Sequence, residues 1–303
     1  TFGVMVLLRL GMNQPGDPAR TMLGGTASDE QIRAATLRYH LDSNLLVQWW
    51  YWFKGMCTLD MGVSVQQNIN VSSYIGPRIP VTLLLGIYSI FWSLVIAFPL
   101  AVFQSYRRDS KRDKLGNLFS FFFVSVPALV LAPVFIFVFV SKLGWFPRIG
   151  DKIYPWQDLG THFKNFFLPT LVLTLPLAAI FTRLLRADMV LTLQSDFITL
   201  ATAKGVSPRH VLWGHALRNS LFSVLTSIGL QLGGLIGGAI IVEQYFNMKG
   251  MGTLLISSIL SKDLFVVQSL VALLVAVVVV ANLAVDLLYA VIDPRIRQMR
   301  ALG

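Results

Sequence analysis

Charge and cysteine are what this chain has least of. Only 13% of its 303 residues are charged, against roughly 25% in a typical soluble domain. Apolar residues make up 55%, and the mean hydropathy is +0.66. The long charge-free stretches favour a membrane bundle over a pair of soluble domains. The single cysteine, Cys57, excludes an intrachain disulfide. His40, His162, His210 and His215 are scattered and no Cys/His cluster has zinc spacing, so a metal site is not expected. No G-x-x-x-x-G-K-[ST] run occurs, which leaves the chain without a phosphate loop to cradle ATP. Acidic residues number 15 against 25 Lys and Arg, a net charge of +10. That excess sits in short clusters between apolar runs, the footprint of membrane topology and not of a nucleic-acid-binding face.

The apolar runs cover about residues 80–103, 115–141, 167–185, 219–242 and 266–292. Each reaches the ~20 residues that cross a ~30 Å hydrocarbon core as helix. Residues 1–11 are apolar but too short to span. With no initial Met and no small-residue cleavage site following, they read as the tail of a first span whose start is missing. The expected fold is an all-α membrane protein of six transmembrane helices, the first truncated, in one transmembrane domain over 1–303. Arg107, Arg108, Lys111, Arg112 and Lys114 crowd loop 104–114. Arg183, Arg186, Lys204, Arg209 and Arg218 populate the region around loop 186–218, and Arg295, Arg297 and Arg300 close the chain. The positive-inside bias places these regions and both termini in the cytoplasm, and loop 14–79 outside.

In that outer loop Ser28 and Gln31 form a capping box opening a helix through Ile32, Ala35 and Tyr39. The run Trp49-Trp-Tyr-Trp-Phe53 reads either as an interfacial belt or as a partner-docking surface. Pro99, Pro127, Pro133, Pro169 and Pro176 fall inside spans, where each removes a backbone hydrogen bond and invites a kink. In the fifth span Gly229, Gly233 and Gly237 share one helix face, with Gly234 and Gly238 beside it. This small-residue pattern fits static packing within the subunit, or a subunit interface or gate. Asp286 lies deep in the last apolar run, one turn after Asn282, and is expected to be buried and hydrogen-bonded.

The most informative stretch lies between spans four and five. Ser195 or Asp196 can cap a short helix through Phe197, Leu200, Ala201 and Lys204. Gly205 is placed to end it in a left-handed conformation, and Ser207-Pro208 to start the next helix with a cap and a proline at its first position. The product is a compact cytoplasmic knob able to transmit force from a soluble partner.

Ala201-Thr-Ala-Lys-Gly-Val-Ser207, followed by His215-Ala-Leu-Arg-Asn219, resembles the EAA loop of ABC importer permeases, in particular the dipeptide/oligopeptide/nickel type. The resemblance runs nearly end to end: Pro15-Gly-Asp-Pro-Ala19, Leu41-Asp42, Asp60-Met-Gly62, Pro80-Val-Thr82, Glu243, Phe246, Gly250-Met-Gly252, Asp263, Asn282, Asp286 and Asp293-Pro-Arg295 match in order. Departures exist. Thr199-Leu-Ala201 stands for Glu-Ala-Ala, Ser223 for a usual proline, Lys249 interrupts a usual Trp-Pro-Gly turn, and His40 replaces a customary glycine.

The resemblance implies a type I ABC importer transmembrane-domain fold in a bacterial inner membrane. It implies a second homologous permease subunit, two cytoplasmic ATPases carrying ATP and Mg, and an extracytoplasmic substrate-binding protein, with no cofactor in this chain and no catalysis by it. The coupling loop would be Ala201, Ala203, Lys204, Gly205, Val206, Ser207 and His210. The pathway or subunit interface would hold Gly229, Gly233, Gly234, Gly237, Gly238 and Glu243, and peptides are the expected cargo. A secondary transporter would need coupled intramembrane carboxylates or inverted repeats, and neither is visible. An intramembrane protease could draw on Ser220, Ser223 or Ser227, but no membrane-embedded histidine is expected as its base.

Overall fold

The computed structural model describes residues 28–64, 67–147 and 154–292, together with Phe2, Gly3, Met5, Val6 and Ala19. Most of 1–11, Pro15-Gly-Asp-Pro18 of the motif ending at Ala19 and the closing Asp293-Pro-Arg295 lie outside the described residues. The described residues include ten principal helices: α1 (Asp29–Tyr39), α2 (Leu45–Cys57), α3 (Ile79–Tyr106), α4 (Lys111–Ser125), α5 (Ala128–Phe135), α6 (Leu159–Leu193), α7 (Asp196–Ala203), α8 (Leu217–Tyr245), α9 (Met251–Leu260) and α10 (Leu264–Ile292). Among the described residues, four stretches are long and apolar enough to cross a membrane: Val71–Tyr106, Leu159–Leu193, Pro208–Tyr245 and Leu264–Leu288.

The chain divides into two compact units, and the division falls inside α3 and α10. Unit 1 holds residues 1–82 and 249–277. The capping box forms as the sequence predicts: Ser28 N–H donates to Gln31 Oε1 (2.9 Å) and Gln31 N–H to Ser28 Oγ (3.3 Å). Asn44 caps α2 by accepting from Val47 N–H at 2.9 Å. The aromatic run of α2 splits by helical phase: Trp52 turns into the core, while Trp50, Tyr51 and Phe53 stay exposed. Tertiary hydrogen bonds then join distant parts of the chain. The Ser64 hydroxyl donates to the buried Asp263 carboxylate at 2.5 Å, and Met251 N–H donates to Thr82 Oγ1 at 2.8 Å.

Unit 2 holds residues 83–248 and 278–303. Its centre is α6, which packs against α4, α5 and α8 and buries Val172, Phe181, Leu185 and Met189 completely. At 1.5 Å per residue its 35 residues extend about 52 Å, well beyond the ~30 Å hydrocarbon core, so it is longer than the expected 167–185 at both ends. Asp158 caps it, and the Thr161 hydroxyl with the Thr161 and Gly160 N–H groups holds that carboxyl below the usual carboxylate range.

The expected span over 115–141 is not one straight helix: α4 and the α5 segment through Lys142 meet at 99°. Pro127 supplies the reason, because its ring excludes the preceding residue from helical dihedrals, and Val126 is extended at φ −95°, ψ 112°. Pro133 lies inside α5 just before a π-helical turn, Ile136–Lys142, while Pro99, Pro169 and Pro176 are absorbed within α3 and α6.

One ion pair fixes α4 to α6. Asp113, 2% exposed, takes Arg186 in bidentate geometry, Nε to Oδ1 at 2.8 Å and Nη2 to Oδ2 at 2.6 Å. It also accepts from Asp109 N–H (3.0 Å) and Asn117 Nδ2 (3.2 Å). Removing one partner of a buried pair costs ~3–5 kcal/mol. Because the Arg186 side chain retains 22% exposure, Asp113→Ala should cost about 2–3 kcal/mol. The expected result is a lower melting temperature for the purified permease in nanodiscs. Adding Arg186→Met should recover part of the loss; additive losses in the double variant would mean the pair contributes nothing as a pair.

Candidate coupling loop and translocation face

The knob between the two long helices is built by three local devices. α7 ends in a Schellman motif: Gly205 N–H donates to Thr202 O at 3.0 Å and Val206 N–H to Ala201 O at 3.2 Å. Gly205 sits at φ +82°, the left-handed region where a side chain is strained. Ser207 then caps the following helix, accepting from His210 N–H at 3.4 Å, with Pro208 at its first position. The Ser195 hydroxyl does not cap α7; it donates back to Thr192 O at 2.5 Å.

Of the residues assigned to the loop from sequence, Ala203, Lys204, Gly205, Ser207 and His210 are exposed, and Ala201 and Val206 are half-buried. Ile198 anchors α7 inward, while Phe197 and Leu200 stay exposed on it and Trp213 is exposed on the next segment. Val211–Ala216 is π-helical, an irregularity frequent at functional sites, and it packs against α7. His210 and His215 meet edge to face at 5.1 Å. The sequence reading gave Trp213 no role; its exposure beside a proline-started helix becomes visible only in three dimensions.

The glycine face of α8 divides in two. A Cβ on Gly229 would stand 3.0 Å from Asn282 Oδ1, and one on Gly238 would stand 3.0 Å from Leu173 Cδ2, so these two serve packing within unit 2. Among the described residues, nothing beyond the helix's own backbone comes within 4 Å of such a Cβ at Gly233, Gly234 or Gly237. Glu243, at the end of the same helix, is fully buried.

Two expectations need correction. Asp286 is exposed, not buried, because the later part of α10 turns that flank outward with Leu283, Leu287 and Leu288. A histidine does lie within a candidate membrane span: His162 in α6 is buried, contacts Tyr88 Oη at 3.1 Å and stacks on Phe166 at 4.4 Å between centroids. It lines an aromatic cleft of 640 Å³ with Trp92, Phe163 and Phe167. Ser220, the buried one of the three hydroxyls considered above, donates to Ala216 O at 3.0 Å and meets Thr192 Oγ1 at 3.4 Å, which describes a helix hydroxyl and not an activated nucleophile.

Comparison with known proteins bears on the whole chain. Residues 78–298 match the model of a family described as the binding-protein-dependent transport system inner membrane component. The chain is 35% identical over 297 residues to the glutathione transport system permease protein GsiC of Escherichia coli (strain K12), covering 98% of this chain and 94% of that protein. The protein of the same name from Salmonella typhimurium is 35% identical over 283 residues, covering 93% and 90%. The chain therefore belongs to the family of inner-membrane components of binding-protein-dependent transport systems, as a pore-forming permease subunit of an ATP-driven importer whose ATPase resides in separate subunits.

Proposed function

We propose that this permease imports a short peptide or peptide-like molecule, and that the knob from Ala201 to His210 receives the force of ATP hydrolysis. The observation that carries the second part is the exposed Schellman turn at Gly205, set between two stretches long enough to cross the membrane, Leu159–Leu193 and Pro208–Tyr245. A turn locked by two backbone hydrogen bonds moves as one piece with both helices. Ala203, Lys204, Gly205, Ser207 and His210 present its surface to an ATPase, with Ala201 and Val206 beneath it. Exposed Phe197, Leu200 and Trp213 add apolar contact area for that partner. The cargo reading rests on the near-full-length relatives named for glutathione transport, glutathione being a tripeptide-like solute.

The assembly we propose contains a second, related permease, two ATPases holding ATP and Mg, and an external binding protein. Gly233, Gly234 and Gly237 are open to such a permease neighbour. Six spans with both ends in the cytoplasm place residues 28–64 outside and the knob inside, an arrangement supported by the clustered basic residues.

Topology supplies the test. Cys57, the only cysteine, is exposed and should react with an impermeant maleimide added to intact cells. In a Cys57→Ser background, cysteines placed at the exposed Lys111 and Arg209 should stay unlabelled until the membrane is permeabilised. Outside labelling of either site would overturn the orientation. The assembled proteins in liposomes should take up peptide only with ATP. Uptake by this chain alone on an ion gradient would replace the ATP-driven reading with a secondary transporter.

A further inference from the structure

We infer that unit 1 carries a binding site for a small zwitterion of amino-acid size, built on Trp52 and Gln268. The two side chains line one cavity of 180 Å³. Both are at least nine-tenths buried, Gln268 at 2% exposure and Trp52 at 9%. Gln268 Nε2 and Trp52 Nε1 each lack a hydrogen-bond partner. An unmet buried donor costs ~1–3 kcal/mol, and two on one cavity wall mark an acceptor that the chain itself does not supply.

The other polar side chains described on this wall are engaged to different degrees. The Gln48 amide, also on the wall, donates to Leu41 O at 3.1 Å and Ser43 O at 2.7 Å. His40 stacks on Tyr51 at 3.9 Å. Both orphan groups are donors, which disfavours a metal ion or a simple cation and calls for carboxylate or carbonyl oxygens. A carboxylate offers about four lone-pair sites, enough for both.

Asp60 lines the same cavity and supplies the opposite charge. Its side chain makes only a long contact, from Gly62 N–H at 3.4 Å, so it can meet an ammonium group. Met5, Leu41, Met61 and Leu264 give the remaining wall an apolar character suited to an aliphatic side chain. The volume lies below the ~300–1,000 Å³ of drug-sized sites. Together these features describe a carboxylate, an ammonium and a modest aliphatic group.

The inference does not depend on peptide import, since binding is read without transport. The assembled transporter, without its binding protein, is held in nanodiscs and its permease melting temperature followed against L-leucine, with acetate and methylammonium as half-ligands. Leucine should raise the melting temperature saturably and act at lower concentration than either half-ligand. Gln268→Leu removes the unmet donor at similar volume, so without ligand it should melt no lower than wild type, and it should weaken leucine binding about tenfold or more. Trp52→Phe should do the same. Asp60→Asn should weaken leucine and leave acetate unchanged. Absence of a saturable leucine shift, or a wild-type leucine response in both Gln268→Leu and Trp52→Phe, would overturn the site and leave the cavity to water.

Discussion

Gly205→Val will leave the permease in the membrane and abolish ATP-driven uptake. The residue stands at φ +82°, and a side chain in the left-handed region costs ~1–2 kcal/mol, more when β-branched. Beyond its chain neighbours, no atom of the described residues lies within 4 Å of where a Cβ would stand, so the penalty is conformational and not a clash. The chain escapes it by leaving the left-handed region. That step breaks the hydrogen bonds from Gly205 N–H to Thr202 O and from Val206 N–H to Ala201 O, and so releases α7 from the next helix. Because the spans are elsewhere, insertion and melting temperature should change little. ATPase binding should fall, or hydrolysis should continue without uptake. Gly205→Ala keeps the strain but drops the β-branch and should retain partial uptake, whereas Gly205→Asn, a residue that tolerates this region, should retain most of it. Normal uptake in Gly205→Val would mean that the loop does not couple.

That turn was legible in the sequence because its chemistry is local. A glycine after an amphipathic turn, then Ser-Pro, specifies a left-handed stop and a capped restart with no reference to the rest of the fold. The capping box at Ser28 was legible for the same reason. Hydropathy located the apolar runs, but it could not see that Pro127 turns one of them through 99°. A proline in an apolar run is compatible with absorption, as at Pro169 and Pro176, or with a break, and neighbouring helices decide between them.

His40 shows a departure becoming intelligible. The family's customary glycine at this position reads as a need for positive φ, and His40 does adopt φ +51°, with its ring stacked on Tyr51. The Asp113–Arg186 pair was hidden because its partners are 73 residues apart and both sit in stretches that read only as a basic cluster. Motifs that the sequence offered as separate matches also meet in unit 1: Thr82 bonds Met251, and Asp263 bonds Ser64, a short step from Asp60-Met-Gly62. No spacing rule in the sequence announces such contacts.

Substitution along α8 separates packing within the chain from assembly between chains, and the two outcomes differ sharply between adjacent residues. Gly237→Leu and Gly233→Leu place side chains where no described residue outside the helix backbone comes within 4 Å, so the subunit should insert and melt as wild type. If the second permease packs on that face, its backbone must approach the glycines closely, and a leucine would hold it off. Co-purification of the partner should then fall at least about tenfold, equivalent to ~1.4 kcal/mol, and uptake should fall with it. Gly238→Leu, one residue on, drives into Leu173 on α6, 3.0 Å from the new Cβ. Overpacking of that kind costs ~1–3 kcal/mol and should lower the melting temperature of the isolated subunit. Gly238→Ala should be milder, because Leu173 Cδ2 ends a side chain that can rotate away. The contrast carries the test: a Gly237→Leu subunit that assembles and transports normally would show that the open face of α8 meets only lipid.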